Sequence, residues 1–342
     1  MLRRSLLVLA PAALLALPAA PPAGAQERVV NIYSSRHYDT DRELYDGFTR
    51  ATGIRIRLIE GDADQLIERI RNEGANSPAD VLMTVDAARL HRAQAANLLQ
   101  PVRNAVIEGR IPAHLRDPEG HWFGISKRAR VIMFDRQNPP QGLARYEDLA
   151  DPRFRGQICV RSSSHPYNLS LMGSIIAANG EQAAEAWARG VVANMARPPQ
   201  GGDTPQFQAI PAGQCRLAIA NTYYLARFGA SQNPAERAVY ERVGVIFPNQ
   251  ADRGAHVNVS GAGVVRTAPN REAAIAFLEY LVSDEAQRLF ANGNFEYPVV
   301  AGVPPHPALA ALGEFREDAL NAARYGALSA QSLQIMQRAG WR

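Results

Sequence analysis

Apolar and polar positions alternate along the chain in two rhythms, one of strands and one of helices. Residues 29–33 are an apolar run of buried-strand length. Thr40-Asp41-Arg42-Glu43 reads as a capping box opening a helix with Leu44, Tyr45 and Phe48 on one face, and Gly53 closes it. Residues 54–58, Ile-Arg-Ile-Arg-Leu, alternate at period two, as a strand at a sheet edge or covered on one side does. Asp62 caps a second helix carrying Leu66, Ile67 and Ile70, and residues 80–84 return as an apolar strand. This order implies parallel strands covered by helices.

Residues 123–134 read as a longer strand, expected to cross from one lobe to the other. Helices follow near 170–178, 181–192 and 205–210, and Asp203-Thr204-Pro205 introduces the last, with Asp203 and Thr204 expected to cap it. Residues 243–248 and 261–266 read as strands able to return to the first lobe, and 270–282 and 284–292 as helices. No repeat of solenoid period occurs.

The N-terminus has export character. Met1-Leu2-Arg3-Arg4 is basic, residues 5–20 are rich in alanine and leucine, and Ala23-Gly24-Ala25 is an A-x-A cleavage site. Cleavage after Ala25 would deliver the chain to a bacterial periplasm, with no stable membrane insertion afterwards, since Pro11, Pro18, Pro21 and Pro22 interrupt the apolar stretch. Removing Arg3 and Arg4 from 37 basic residues leaves 35 against 33 acidic ones, a net charge of +2 that does not point to nucleic acid. About 317 mature residues exceed what one core usually organises, so two lobes are expected. Cys159 and Cys215, the only cysteines, lie in strand-like runs, and an even number in an exported chain favours a disulfide.

The chemistry-bearing residues are phenols. Tyr223-Tyr224, in Ile219-Ala220-Asn221-Thr222-Tyr223-Tyr224-Leu225, ends an apolar, strand-like run where α/β folds place ligands. Adjacent strand residues point to opposite faces, so this pair converges on one ligand only where the strand has ended. Ser35-Arg36-His37-Tyr38 and Ser164-His165-Pro166-Tyr167-Asn168 add two more phenol-bearing loops. His91, His114, His121, His256 and His306 are scattered, without His-x-x-x-His spacing or a carboxylate partner, and read as structural or exposed. Ser162-Ser163-Ser164 lies in neither a nucleophile elbow nor a P-loop.

Residues 32–38, Ala79-Asp80-Val81, 161–168, Gly202-Asp203-Thr204, Asn221-Thr222-Tyr223-Tyr224 and 280–287 resemble the periplasmic ferric-iron-binding proteins of ABC importers. The resemblance covers nearly all of the mature chain. It implies an α/β, two-lobed type II periplasmic solute-binding fold with the ligand cleft between lobes. The lobes would be 26–126 with about 254–300, and 127–253 with about 301–342. It also implies a cargo of Fe(III), an inner-membrane permease as partner, a monomer and no enzymatic activity. The match is closest to the branch that uses several tyrosines and one histidine, assigning ligand roles to His37, Tyr38, Tyr167, Tyr223 and Tyr224. The phosphate-assisted branch uses a glutamate and lacks the tyrosine at 167, so no obligatory phosphate or carbonate is expected.

Ferric ion is a hard cation that prefers anionic oxygen, and phenolate is one. Four phenolates leave the ferric site with one surplus negative charge, which a nearby arginine should offset. By proximity in sequence Arg227 comes first, then Arg128 or Arg130 on the crossing strand, then Arg36, while His165 is expected to shape its loop. Two rival readings are the same fold binding an organic cation or a phosphorylated solute, and an exported hydrolase using His37 or His165. The cation cage needs rings presented face-on, the metal site needs converging hydroxyls, and the hydrolase needs a Ser/His/acid relay.

Overall fold

The computed structural model describes residues 28–36 and 38–342, so the export segment and His37 lie outside the described residues. Among the described residues the eight strands are β1 Val29–Ser34, β2 Arg55–Glu60, β3 Val81–Thr84, β4 Phe123–Asp135, β5 Ile158–Cys159, β6 Leu217–Asn221, β7 Val243–Ile246 and β8 Val257–Val264. They join in the order β2-β1-β3-β8-β4-β6-β5, with β7 also on β4. β1 pairs in parallel with β2 and β3, and helices Asp41–Thr52 and Ala63–Glu73 make the crossovers. The alternating run became the edge strand β2, where Ile56 and Ile59 are half-buried and the arginines exposed.

β4 is the strand that joins the halves. Up to Ala129 it pairs with β8, and from Arg130 onward with β6 and then β7, so one strand belongs to both ends of the sheet. Its residues 128 and 130 share a face, because side chains on a strand repeat every two positions. β8 returns to β3, whereas β7 does not return to the first lobe. The helix Pro234–Arg242 leading into β7 packs beside Thr222–Ala230 and holds β7 against the far half of β4.

The capping box is not formed. Thr40 has helical backbone angles, φ −70° and ψ −19°, whereas a capping side chain needs an extended residue. Its hydroxyl donates instead to Asn294 Oδ1 at 2.6 Å. Asp62 does cap its helix, accepting from the amides of Asp64 and Gln65. Among the described residues no helix is long and apolar enough to cross a membrane.

Cys159, the last residue of β5, and Cys215, two residues before β6, are bonded, with Cα atoms 5.9 Å apart. The bridge spans 56 residues. Replacing both cysteines by alanine should lower unfolding stability by about 2–4 kcal/mol through the freed unfolded chain. Urea denaturation checks this, and a loss well below 1 kcal/mol would refute it.

Candidate functional site

β6 ends at Asn221 and the helix Thr222–Ala230 begins at once, placing Tyr223 and Tyr224 in its first turn. Neighbours on a helix are about 100° apart rather than opposed. The two rings therefore lie together, centroids 4.1 Å apart and planes 30° from parallel. Tyr167 is also in a first turn. The helix Pro166–Asn179 starts four residues before the predicted 170, with proline as its first residue and His165 as its cap. Its hydroxyl lies 3.2 Å from that of Tyr223. Tyr38, after β1, lines the same cleft of about 800 Å³ with Tyr167, Tyr223, Tyr224, His165 and Arg227.

Two of the three phenol-bearing segments are thus helix N-termini, not loops. Such ends carry partial positive charge and favour an anionic oxygen. Without a cation Tyr38, Tyr167 and Tyr223 stay neutral, because burial above all pushes Tyr38 and Tyr167 up to about 12 and Tyr223 well above its ordinary value. Only a strongly positive ligand reverses that preference.

The model of the bacterial extracellular solute-binding protein family matches residues 76–312. This chain belongs to that family. The solute-binding protein is 52% identical over 326 residues to iron uptake protein A1 of Synechocystis sp., covering 95% of this chain and 90% of that one. It is 31% identical to the major ferric iron-binding protein of Neisseria meningitidis serogroup B, over 83% and 84% of the two chains. The structure of a Trichodesmium protein (IdiA, FutA) in complex with iron and citrate superposes with a TM-score of 0.89 at 55% identity, covering 92% of this chain and all of that one. The fold is accordingly the two-lobed α/β arrangement of periplasmic solute-binding proteins.

Around the cleft of this solute-binding protein five arginines fall into three groups. Arg227, on the same helix face as the tyrosine pair, is half-buried and has no carboxylate partner among the described residues. Its guanidinium lies 5.1 Å from the Tyr223 ring centre, 5.6 Å from that of Tyr38 and 6.0 Å from that of Tyr224. Arg130 is buried and bonded to Asp203, Asn221 and Asn168, and Arg161 reaches the other oxygen of Asp203. Asp203 is therefore not a helix cap. Its carboxylate also accepts the Asn221 amide at 2.8 Å, and the cap position belongs to Gly202. Arg128 and Arg36 form the third group, sharing Glu296.

His165 accepts the Tyr167 amide on Nδ1 at 3.3 Å, and the two rings meet edge-on, centres 4.4 Å apart. Burial, then Arg161 and Arg130, push its imidazole down to about 3, so it is neutral. His121 and His114 do have carboxylate partners, Asp117 and Glu317, each at 2.9 Å. Asp117 also accepts the amides of residues 119 and 121, which makes it the organiser of a turn. His256 is buried against Ser170, Nε2 to Oγ 3.1 Å. Glu296, Asp41 and Arg161, which pair with the arginines around the cleft or with their partner Asp203, are not announced by any motif in the sequence. Glu296 lies 260 positions from Arg36, and no local spacing announces such a pair.

Proposed function

We propose that this chain is a periplasmic Fe(III)-binding protein that delivers iron to an inner-membrane ABC permease. The observation that carries this is the gathering of four phenols from three separate segments in one cleft, two of those segments being helix N-termini. Tyr38, Tyr167, Tyr223 and Tyr224 supply four phenolates, and His37 completes the shell. The lobes are residues 26–126 with about 254–300 and residues 127–253 with about 301–342, and the segment 1–25 is an export signal removed after Ala25. The mature protein works as a monomer and catalyses no reaction. The names of its relatives, which bind ferric iron, point the same way.

An organic-cation cage fits less well. The ring faces nearest the cleft already cover the protein's own Arg227 guanidinium, and the Tyr167 and Tyr223 hydroxyls turn toward each other. Adding ferric salt to the purified protein should produce a visible phenolate-to-iron charge-transfer band, with one iron per chain. Absence of the band and of bound iron would overturn the reading.

Arg227 offsets the surplus negative charge of the loaded site. Arg227→Gln should weaken ferric binding by an amount between the roughly 0–1 kcal/mol of exposed pairs and the roughly 3–5 kcal/mol of buried ones, because the group is half-buried. Chelator competition at fixed pH and ionic strength measures it. An unchanged constant would exclude Arg227 and shift the role to Arg130 and Arg161, which share one carboxylate.

A further inference from the structure

Behind the tyrosines lies a sealed block of four charges that the ligand set does not use. Arg36 Nε donates to Asp41 at 3.0 Å, and its Nη2 to Glu296 Oε2 at 3.0 Å. Arg128 Nη2 donates to Glu296 Oε1 at 3.1 Å, and its Nη1 to the Val85 carbonyl at 2.6 Å. Ser260 accepts from both guanidiniums and donates to Glu296. Every member is buried. The block faces the phenols directly, with Arg36 over the Tyr38 ring at 4.9 Å and Arg128 over the Tyr167 ring at 5.7 Å.

The charges of the block sum to zero, two guanidiniums against two carboxylates. A burial this complete makes the balance consequential, because charge interactions in a dry interior are far stronger than in water. Loading changes the charge beside it. Fe(III) held by four phenolates is a centre of one net negative charge. A fixed carboxylate nearby opposes that change, and a fixed guanidinium assists it.

We propose that Glu296 is a tuning residue that holds ferric affinity below what the tyrosines and the two guanidiniums would otherwise give. It touches no cargo and acts through Arg36 and Arg128. Neutralising it leaves Arg36 bonded to Asp41 and Ser260, and Arg128 bonded to Ser260 and the Val85 carbonyl. One guanidinium charge is then uncancelled beside the phenolates. A carrier must also surrender its cargo, and a built-in opposing charge shortens retention without removing a ligand.

The inference rests on the phenolate reading of the site. Its test compares the full-length mature protein with Glu296→Gln and Glu296→Asp, using ferric ion in competition with a chelator and the midpoint potential of the bound iron. Glu296→Gln should bind Fe(III) about tenfold or more tightly, and its potential should rise, since a ferrous site would carry two surplus negative charges and gain more from the freed guanidinium. Glu296→Asp keeps the charge and should behave as the parent. A purely structural role predicts the opposite, weaker binding in both variants with no rise in potential. Equal or weaker binding by a folded Glu296→Gln overturns the proposal. If that variant does not fold, Asp41→Asn removes the other carboxylate of the block and must tighten binding for the proposal to stand. A parent lacking the charge-transfer band sinks the ligand assignment itself, which is a different failure from a banded parent whose Gln variant is no tighter.

Discussion

Tyr223→Phe should lose more than a hundredfold in ferric affinity, together with much of the charge-transfer intensity. The ring and its stacking on Tyr224 remain, so the substitution removes little beyond the hydroxyl and its 3.2 Å contact with Tyr167. Losing a group that merely supports a ligand costs roughly tenfold to a hundredfold, and loss of a ligand itself should exceed that. His37→Ala should do less damage. Tyr223 and Tyr224 are ordered together in one helical turn before iron arrives, whereas a ligand that joins on closure adds its own ordering cost. Chelator competition on the two variants is the measurement. Parent-like affinity for Tyr223→Phe would remove the central assignment.

The largest effect should come from pH. Burial raises the phenols of Tyr38 and Tyr167 to about 12 and Tyr223 well above its ordinary value, so all three are protonated in the empty protein throughout the neutral range. Iron must displace those protons, and the bound phenolates have a far lower affinity for them. Binding therefore releases protons and weakens as pH falls. Each displaced proton contributes about a factor of ten per pH unit, so these three phenols give up to about a thousandfold per unit. Titrating the visible band downward from neutral pH at fixed chelator should show a steep, multi-proton loss. A band that survives to strongly acidic pH would mean that the ligands are not tyrosinates.

Much of the scaffold is legible locally. The apolar run of β1, the alternating run of β2, the Asp62 cap and the strand–helix order each follow from propensity and periodicity over a few residues. The helix beginning at Pro166 was legible too, since proline is preferred as a first helical residue, yet its neighbours Ser164 and His165 read as loop. At Thr40 the local pattern misled. The box residues are present, but Thr40 takes a helical backbone conformation and its hydroxyl bonds to Asn294. Asp203 went the same way, drawn from a helix terminus to the buried guanidinium of Arg130 and the half-buried one of Arg161.

By itself, then, the sequence determined the alternation of strands and helices, the long crossing strand and the three phenol-bearing segments, because these are properties of short stretches of chain. Only the tertiary structure decided which groups meet. That Tyr38, Tyr167 and the tyrosine pair share one cleft follows from strands β1 and β6 ending toward the same opening. That Arg128 and Arg130 serve opposite partners, Glu296 and Asp203, follows from β4 changing neighbours between Ala129 and Arg130. Charges distant in sequence and buried together cannot be paired by local reading, since what selects the partner is the penalty of leaving either one alone in the dry interior.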